Sequence, residues 1–433
     1  MLAILVRFNK GRVLGFLVPA QRLLTYTCLV LIGSMFFVPH LHTTPYPASL
    51  AQLVNLNQHI LWQYSYTGTL RLAQISSRGE TIAFVTDTEP STLTVLDGFN
   101  GARLWSFTPT GIAQYNRTIA ALGLSANGEY LAIGTTGGSV YLFHRNSPEI
   151  VQHWQTPYPI SSVGVSEVGT FIAISFDRAV YFLSRLEGTP LWGDYFALPP
   201  YQILNMSIDR EGSTLAVSTT ENMVNVIRTG DGELFWDYQL NATITALQLN
   251  AAGTLLFTAT ESYAILFSEG GARAQEYAIA PTVFAFSGAG QNTALAPNNT
   301  VYVYNLQSPR PIANHSFDSQ VTSLALTFDG TFLLAGTIAG IFHVINPTNF
   351  DVYWTLPLDE PIIRVLTPDF GDYFIAVTST RIVAGRISSI TGLLTYFTPL
   401  ILVILTSVCV GLITIWLVRP RPKPKLLTAE KDE

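Results

Sequence analysis

The chain has 433 residues, of which 48% are apolar and only 12% are charged, and its formal net charge is −6. This apolar fraction is high for a soluble protein, and two uncharged segments near the ends account for part of it. The lysines lie only at positions 10, 423, 425 and 431. A lysine-free, net negative middle argues against nucleic-acid binding.

Two uncharged apolar stretches near the ends of the chain predict membrane-spanning helices. The first covers 23–39 and extends to about residue 42, and the second is a run of 26 uncharged residues over 393–418. A helix that crosses a bilayer needs ~20 such residues. We therefore predict transmembrane helices over 23–42 and 393–418, the first as an uncleaved signal anchor. The alternative for the first is a signal peptide, cleaved near PASLA at 47–51.

Basic residues flank both stretches on the sides that face the chain termini. They are Arg7, Lys10, Arg12 and Arg22 before the first stretch, and Arg419, Arg421, Lys423 and Lys425 after the second. Positive flanks stay in the cytoplasm, so residues 1–22 and the basic tail 419–433 are predicted inside the cell. Residues 43–392 carry 14 Arg against 26 Asp plus Glu and are predicted to be extracytoplasmic. The expected localisation is the cytoplasmic membrane.

A glycine-centred segment recurs eight times along the middle of the chain. It reads SSRGETIAF, SANGEYLAI, SEVGTFIAI, DREGSTLAV, NAAGTLLFT, SGAGQNTAL, TFDGTFLLA and PDFGDYFIA, and its glycines are Gly79, Gly128, Gly169, Gly212, Gly253, Gly290, Gly330 and Gly371. Neighbouring glycines are 37 to 49 residues apart. Glycine in a hairpin turn supplies the positive φ that other residues resist, so each segment predicts a turn between two short strands.

Each repeat reads as four short antiparallel strands, the content of one β-propeller blade. The fourth strand carries an aromatic residue: Trp105, Trp154, Trp192, Trp236, Tyr277, Phe317 or Trp354. The last repeat lacks a fourth strand, and the run HILWQYSYTG at 59–68 supplies it, with Trp62 as its aromatic residue. Closure removes free sheet edges. We therefore predict an all-β fold: an eight-bladed β-propeller of four-stranded antiparallel blades over 59–388, after a linker at 43–58.

The repeats resemble known propeller families. NGEYLAIGTTGGSVYLF, GARLWSF and TGDGELFWDYQ look like quinoprotein-like and WD40-like repeats, and the resemblance covers 59–388. It implies a relationship to families that include dehydrogenases, periplasmic assembly scaffolds and membrane-anchored propellers. Quinone-binding propeller enzymes place cysteines near the cofactor. Here Cys28 and Cys409 lie in the two predicted helices, so we predict no cofactor.

Strand direction predicts which face of the ring lies towards the membrane. The first helix feeds a fourth strand, and the second follows a third strand that ends near Arg386. Both connections therefore leave from the face of the third-to-fourth turns, here called the proximal face. Its turns contain six arginines: Arg103, Arg145, Arg185, Arg228, Arg273 and Arg310. We expect them to lie near lipid head groups.

The opposite face, here called the distal face, is predicted to carry an acidic rim. The rim residues are Asp87, Glu89, Asp177, Glu221, Glu261, Asp318, Asp359 and Glu360. Each alone reads as a solvated turn residue, but together they favour a basic partner or a cation. Three Asn-X-Ser/Thr sequons in loops of this face, Asn116, Asn241 and Asn298, are candidate N-glycosylation sites.

No catalytic motif accompanies these repeats. The seven histidines lack zinc-ligand spacing, and no GxSxG nucleophile elbow occurs. The prediction is a non-enzymatic scaffold that binds a protein partner, with no metal and no cofactor. One alternative is a subunit of a larger membrane complex, or a homo- or hetero-oligomer, that docks through the helices at 23–42 and 393–418. The other is an enzyme with a cation-assisted site at the channel mouth, around Asp87, Asp177, Glu221, Glu261 and Asp318.

Overall fold

A computed structural model describes residues 2–7, 13–18, 59–110, 118–195, 201–369 and 371–387. The predicted membrane helices and the 43–58 linker lie outside the described residues. Within the described ranges, no helix is long and apolar enough to cross a bilayer. The chain divides into two compact units, Met1–Leu56 and Asn57–Glu433.

The first unit contains an antiparallel hairpin. Strand β1 (Leu2–Arg7) pairs with β2 (Val13–Val18), and the register runs from Leu2 opposite Val18 to Arg7 opposite Val13. The sequence analysis predicted 1–22 as a cytoplasmic segment and assigned it no secondary structure. Two apolar runs separated by FNKGR, with its glycine, are the hairpin signal which that assignment missed.

The second unit is an eight-bladed β-propeller, and every blade is a four-stranded antiparallel sheet. Blade 1 consists of β4 (Thr69–Ile75), β5 (Thr81–Asp87), β6 (Thr92–Asp97) and β7 (Arg103–Phe107), and blade 2 consists of β8 (Ile119–Leu124), β9 (Tyr130–Thr135), β10 (Ser139–His144) and β11 (Ser147–Gln155). Blade 3 consists of β12 (Ile160–Val165), β13 (Phe171–Phe176), β14 (Ala179–Ser184) and β15 (Pro190–Tyr195), and blade 4 consists of β16 (Ile203–Ile208), β17 (Thr214–Thr219), β18 (Met223–Arg228) and β19 (Leu234–Gln239).

The remaining four blades follow in chain order and include one strand from the start of the unit. Blade 5 consists of β20 (Ile244–Leu249), β21 (Leu255–Thr260), β22 (Ala264–Ser268) and β23 (Arg273–Tyr277), and blade 6 consists of β24 (Val283–Phe286), β25 (Asn292–Ala296), β26 (Thr300–Asn305) and β27 (Ala313–Ser316). Blade 7 consists of β28 (Val321–Leu326), β29 (Leu333–Thr337), β30 (Ile341–Ile345) and β31 (Val352–Pro357), and blade 8 consists of β32 (Ile362–Leu366), β33 (Tyr373–Thr378), β34 (Arg381–Arg386) and β3 (Ile60–Ser65). The first strand of each blade, β32 in blade 8, lines the central channel, and β3 is the outermost strand of blade 8.

Strand β3 closes the ring, as the sequence predicted. It pairs antiparallel with β34, and Trp62 lies opposite Ala384. Buried Phe84 of blade 1 and Ile375 of blade 8 belong to one core cluster across the closing junction. The eighth sheet therefore takes its outer strand from the opposite end of the unit, and this pairing covers an edge that would otherwise be left open.

The hydrophobic cores lie between blades. In the described residues, eight clusters of buried side chains each occupy one junction of neighbouring blades. At the junction of blades 2 and 3, for example, Leu142 and Trp154 pack with Ile172 and Phe176. A small sheet buries its two faces only against its neighbours, so a single repeat cannot be stable alone.

The recurrent glycines are turn residues, as predicted. All eight have positive φ, between 61° and 79°. At Gly128 a Cβ would lie 2.8 Å from the Ser76 Cβ and 2.9 Å from the Thr81 Oγ1 of blade 1. The same Thr81 hydroxyl donates to the Gly128 carbonyl at 2.8 Å. Glycine is therefore required here both for the backbone conformation and for the close approach of neighbouring turns.

Six tryptophans tie neighbouring blades together. The indole N–H groups of Trp62, Trp105, Trp154, Trp192, Trp236 and Trp354 donate, in that order, to the carbonyls of Gly98, Arg145, Gly188, Thr229, Glu269 and Ile387, over 2.6 to 3.0 Å. In blade 5, Gln275 takes this role, and its side-chain amide donates to the Ser308 carbonyl. Tyr277 is the last residue of β23, and Phe317 lies one residue beyond β27. Both side chains are buried.

Candidate functional site

The chain enters and leaves the propeller at neighbouring points of the proximal face. The Arg386 backbone N–H donates to the His59 carbonyl at 2.7 Å. The His59 ring stacks on Trp354 with centroids 4.2 Å apart, and Trp354 Nε1 donates to the Ile387 carbonyl. Both ends of the described propeller thus lie on one face, as strand direction predicted, and the distal face carries neither.

Backbone hydrogen bonds link the first-to-second turns around the proximal end of the channel. The bonds run from Ser77 N to Ala126 O, Asn127 N to Glu167 O, Glu167 N to Arg210 O, Arg210 N to Ala251 O, Ala251 N to Gly288 O, Ala289 N to Phe328 O and Asp369 N to Ser77 O, over 2.6 to 3.0 Å. They connect neighbouring blades almost all the way round the ring. The turns at this end are therefore held in a fixed circle.

Arg210 of blade 4 crosses the proximal end of the channel. Its guanidinium forms an ion pair with Asp369 of blade 8 and donates to Ser77 Oγ of blade 1 at 3.2 Å. Its Cζ also lies 5.0 Å from the ring centroid of Phe328 in blade 7. Blades 4 and 8 stand on opposite sides of an eight-membered ring, so this side chain joins opposite walls and obstructs the opening.

A cavity of about 570 Å³ occupies the channel between the inner strands of blades 5 to 8 and blade 1. Val283, Phe284 and Ile363 contribute an apolar wall, and Gln248 and Arg364 contribute polar groups. Ile363 is 40% exposed, so water reaches this part of the channel. Arg71 and the hydroxyl side chains of Thr282, Thr322, Ser323 and Thr367 also line the cavity, so polar and apolar groups contribute about equally to its surface.

Arg364 is the charged residue of this cavity without a counter-ion. It lies in β32 just after a bulge, where the register passes from Ile362 opposite Thr378 to Arg364 opposite Val377. Among the described residues, no carboxylate forms an ion pair with it. Part of its side chain is exposed to the water in the channel. The channel walls surround the rest, and this partial loss of hydration lowers the pKa of Arg364. The sequence analysis missed this residue, although an arginine within the apolar run IIRVL was a visible signal.

The structure places all eight acidic-rim residues in distal connections, spread around the ring. Asp87 and Glu89 belong to blade 1, Asp177 to blade 3, Glu221 to blade 4 and Glu261 to blade 5, whereas Asp318 follows blade 6 and Asp359 and Glu360 follow blade 7. The described His, Cys, Asp and Glu side chains form no group of three that could hold a metal ion. The five acids considered for a cation-assisted site therefore do not gather.

Three rim acids have arginine partners. Asp87 lies 3.7 Å from Arg71, Asp177 lies 3.3 Å from Arg178, and Glu360 lies 3.6 Å from Arg381. Within the described ranges, no ion pair involves the other five, which are Glu89, Glu221, Glu261, Asp318 and Asp359. These five are the rim charges available to a partner.

Glu360 holds the turn between β33 and β34. Its carboxylate accepts hydrogen bonds from Thr380 Oγ1 and Thr378 Oγ1, each at 2.8 Å, and from Ser379 Oγ at 2.9 Å. These bonds, with that from Thr380 the strongest, lower the pKa of Glu360 to about 2. The carboxylate is therefore committed to blade 8 and contributes little to recognition at the rim.

Glu261 lines a second cavity, of about 580 Å³, between blades 5 and 6 on the distal side. Thr260 and Pro281 form part of its wall. Thr282 and Phe284 line both this cavity and the channel cavity. The cavity at Glu261 therefore adjoins the channel cavity.

The proximal arginines lie where the sequence predicted, but most of them contact the propeller itself. Arg145 pairs with Asp97 at 2.9 Å, and Arg273 pairs with Glu276 at 3.0 Å. The guanidiniums of Arg185 and Arg228 lie over the rings of Tyr130 and Phe235, at 4.3 and 4.8 Å. Their charge is therefore partly used within the fold. Of the sequons, Asn241 and Asn298 are exposed in distal loops, and Asn116 lies outside the described residues.

The sequence matches no protein-family model and no curated protein. The structure is similar to solved propellers at low sequence identity. The C-terminal WD40 domain of Sif2 is 11% identical with a TM-score of 0.61, covering 76% of this chain and 98% of that one. BamB from Moraxella catarrhalis is 11% identical with a TM-score of 0.56, covering 76% and 99%. The β-propeller domain of Cps50 (Swd1) from Myceliophteria thermophila is 14% identical with a TM-score of 0.52, also covering 76% and 99%. At these identities the likeness shows the fold: an all-β, eight-bladed propeller with WD40-like and BamB-like structural neighbours.

Proposed function

We propose that this protein is a membrane-anchored scaffold that holds its propeller outside the cytoplasmic membrane and binds another protein on the distal face. The observation that carries the proposal is the Arg386–His59 hydrogen bond, which sets the two ends of the described propeller side by side on the proximal face. Apolar stretches at 23–42 and 393–418 precede and follow these points in the sequence. An anchor at each would leave the distal face directed away from the bilayer.

Exposed apolar side chains on proximal turns support the same orientation. Phe99 is 58% exposed, Val168 52% and Leu186 73%. Phe99 and Leu186 lie in third-to-fourth turns, and Val168 lies in a first-to-second turn. Apolar side chains at turn tips suit a surface that faces lipid head groups better than one that faces bulk water.

The distal face offers the charge for partner binding. β-Propellers commonly serve as protein-interaction scaffolds, but one fold hosts many functions, so the site must carry the argument. Here five rim acids have no ion pair within the described residues, and Glu261 lines a cavity that shares wall residues with the channel cavity. A basic protein surface is the partner that this arrangement favours.

The proposal is tested by neutralising the five acids without arginine partners and capturing partners from detergent-solubilised membranes. The rim variant carries Glu89→Gln, Glu221→Gln, Glu261→Gln, Asp318→Asn and Asp359→Asn. We expect the native chain to retain a protein partner that the rim variant loses. Capture by the native chain should also weaken as the salt concentration rises, because salt screens contacts between exposed charges.

A matched control variant changes the same number of exposed acids on proximal turns. It carries Glu129→Gln, Glu167→Gln, Glu211→Gln, Asp231→Asn and Glu233→Gln, all exposed. It should capture the partner as the native chain does. If both variants lose the partner equally, or if the rim variant still captures it fully, the proposed binding face is contradicted.

A further inference from the structure

The channel cavity is obstructed at its proximal end and accessible from the distal side. Arg210 and Asp369 join opposite walls at the proximal end, within the circle of hydrogen-bonded turns. Towards the distal side, Thr282 and Phe284 line both the channel cavity and the second cavity at Glu261. A ligand would therefore enter from the distal face and stop inside the ring.

Two polar side chains of the cavity have unused hydrogen-bonding capacity. Arg364 forms no ion pair within the described residues, whereas Arg71, which lines the same cavity, lies 3.7 Å from Asp87. Gln248 lies on β20, on the wall formed by blade 5. Its side-chain amide, which carries two N–H donors, forms no hydrogen bond with another described residue. The cavity thus presents one uncompensated cation and an amide donor.

We propose that the channel binds the carboxylate of an apolar ligand at Arg364. The planar guanidinium matches a carboxylate with two parallel hydrogen bonds. The apolar wall of Val283, Phe284 and Ile363 receives the remainder of the ligand. Ligand binding also supplies the negative charge that Arg364 lacks, and partial enclosure strengthens that interaction.

The charge of the surroundings favours a monoanion over a phosphate. One guanidinium without a partner balances a single negative charge, and the acidic rim around the distal opening repels a dianion more strongly than a carboxylate. This site is separate from the rim acids and does not depend on the predicted membrane helices. If no carboxylate binds at Arg364, the proposed binding of a partner at the rim is unaffected. If no partner binds at the rim, the proposed carboxylate site is unaffected.

Calorimetric titration of the full chain in detergent tests the proposal with two carboxylates. Sodium hexanoate represents a free small acid, and the peptide N-acetyl-Gly-Leu-Val with a free carboxyl end represents a protein terminus. Each is compared with its neutral amide, which should bind roughly tenfold more weakly. If hexanoate binds more tightly than the peptide, the carboxylate belongs to a free small acid. If the peptide binds more tightly, the carboxylate belongs to a protein terminus. If neither acid binds better than its amide, or if inorganic phosphate binds better than both, the proposal is overturned.

Variants of Arg364 separate recognition from folding. Arg364→Gln should weaken carboxylate binding roughly tenfold, and Arg364→Lys should weaken it less because it keeps the charge without the planar fork. Arg310→Gln removes an exposed proximal arginine and should leave binding unchanged. Circular dichroism establishes that the variants are folded, and the bound carboxylate should raise the Tm of the native chain but not that of Arg364→Gln. Unchanged binding in folded Arg364→Gln overturns the assignment.

Discussion

His343 is a half-buried histidine in β30 whose surroundings disfavour its charged form. Its ring lies 4.8 Å from that of Phe317, and its Nδ1 is buried without a hydrogen-bond partner in the described structure. Burial, followed by the nearby His315, lowers the pKa of His343 to about 4, and Asp318 acts in the opposite direction. Folding therefore keeps this imidazole neutral over a range in which the unfolded chain binds a proton.

We predict that His343 makes the propeller less stable in mild acid. Between its ordinary pKa of 6.5 and the folded value of about 4, the unfolded state binds more protons, so the free energy of unfolding falls as the pH falls. From about pH 7 to pH 4, the native chain should lose about 3 kcal/mol more than His343→Leu. Urea unfolding of both proteins at several pH values measures the difference. Parallel pH profiles would contradict the argument.

Single residues were predictable where a local pattern required them. Gly128 was identifiable because a positive φ in a two-strand turn selects glycine, and Asp87 because a charged residue ending an apolar strand marks a loop. The Arg210–Asp369 pair spans 159 positions, and no local pattern connects such distant residues. Glu360 was assigned to the rim as a free acid. Its hydrogen bonds to the turn after β33 could not be predicted, because they depend on how blade 8 packs.

Strand β3 shows how one element completes the fold. Trp62 donates to the Gly98 carbonyl at 3.0 Å, as Trp236 in the middle of the ring donates to the Glu269 carbonyl at 2.7 Å. The closing junction therefore uses the same contact as an interior junction. Its strength should be comparable, although β3 comes from the far end of the unit.

We predict that Trp62→Phe and Trp236→Phe destabilise the propeller by similar amounts. Each substitution keeps an aromatic ring but removes the indole N–H, which leaves a carbonyl without its donor and costs about 1 kcal/mol. Urea unfolding with a common slope measures both losses. If Trp236→Phe is destabilising and Trp62→Phe is silent, β3 does not hold the ring closed.

The strands were predictable because each repeat encodes its own turns. The closing strand was predictable because the last repeat lacked a fourth strand and the run at 59–68 belonged to no other repeat. Finer details were not. Gln275 replaces tryptophan as the inter-blade donor in blade 5, and only the register of neighbouring blades reveals this. The inward direction of Arg364 depends on the bulge in β32, which the run IIRVL alone does not specify.

At the scale of the whole molecule, the proposed orientation makes a prediction about accessibility. With Cys28 and Cys409 changed to serine, a single cysteine is placed at Leu186 on the proximal face or at Ile338 on the distal face, which are 73% and 50% exposed. A membrane-impermeant maleimide should label both in intact cells, because the propeller is proposed to lie outside. Thr428→Cys, in the basic tail, should react only after permeabilisation. Labelling of the two propeller sites only after lysis contradicts the proposed side of the membrane.

The neighbouring ends of the described propeller also determine how the ring would respond to mechanical load. A pull that separates residues 59 and 387 acts on the same end of one antiparallel strand pair, β3 and β34. The force meets the bond between Arg386 and His59 first and then each following bond in turn, so the pair unzips instead of shearing as a unit. Blade 8 is thus the seam of the ring, and if the two proposed anchors moved apart, the propeller would open there before any other blade was strained.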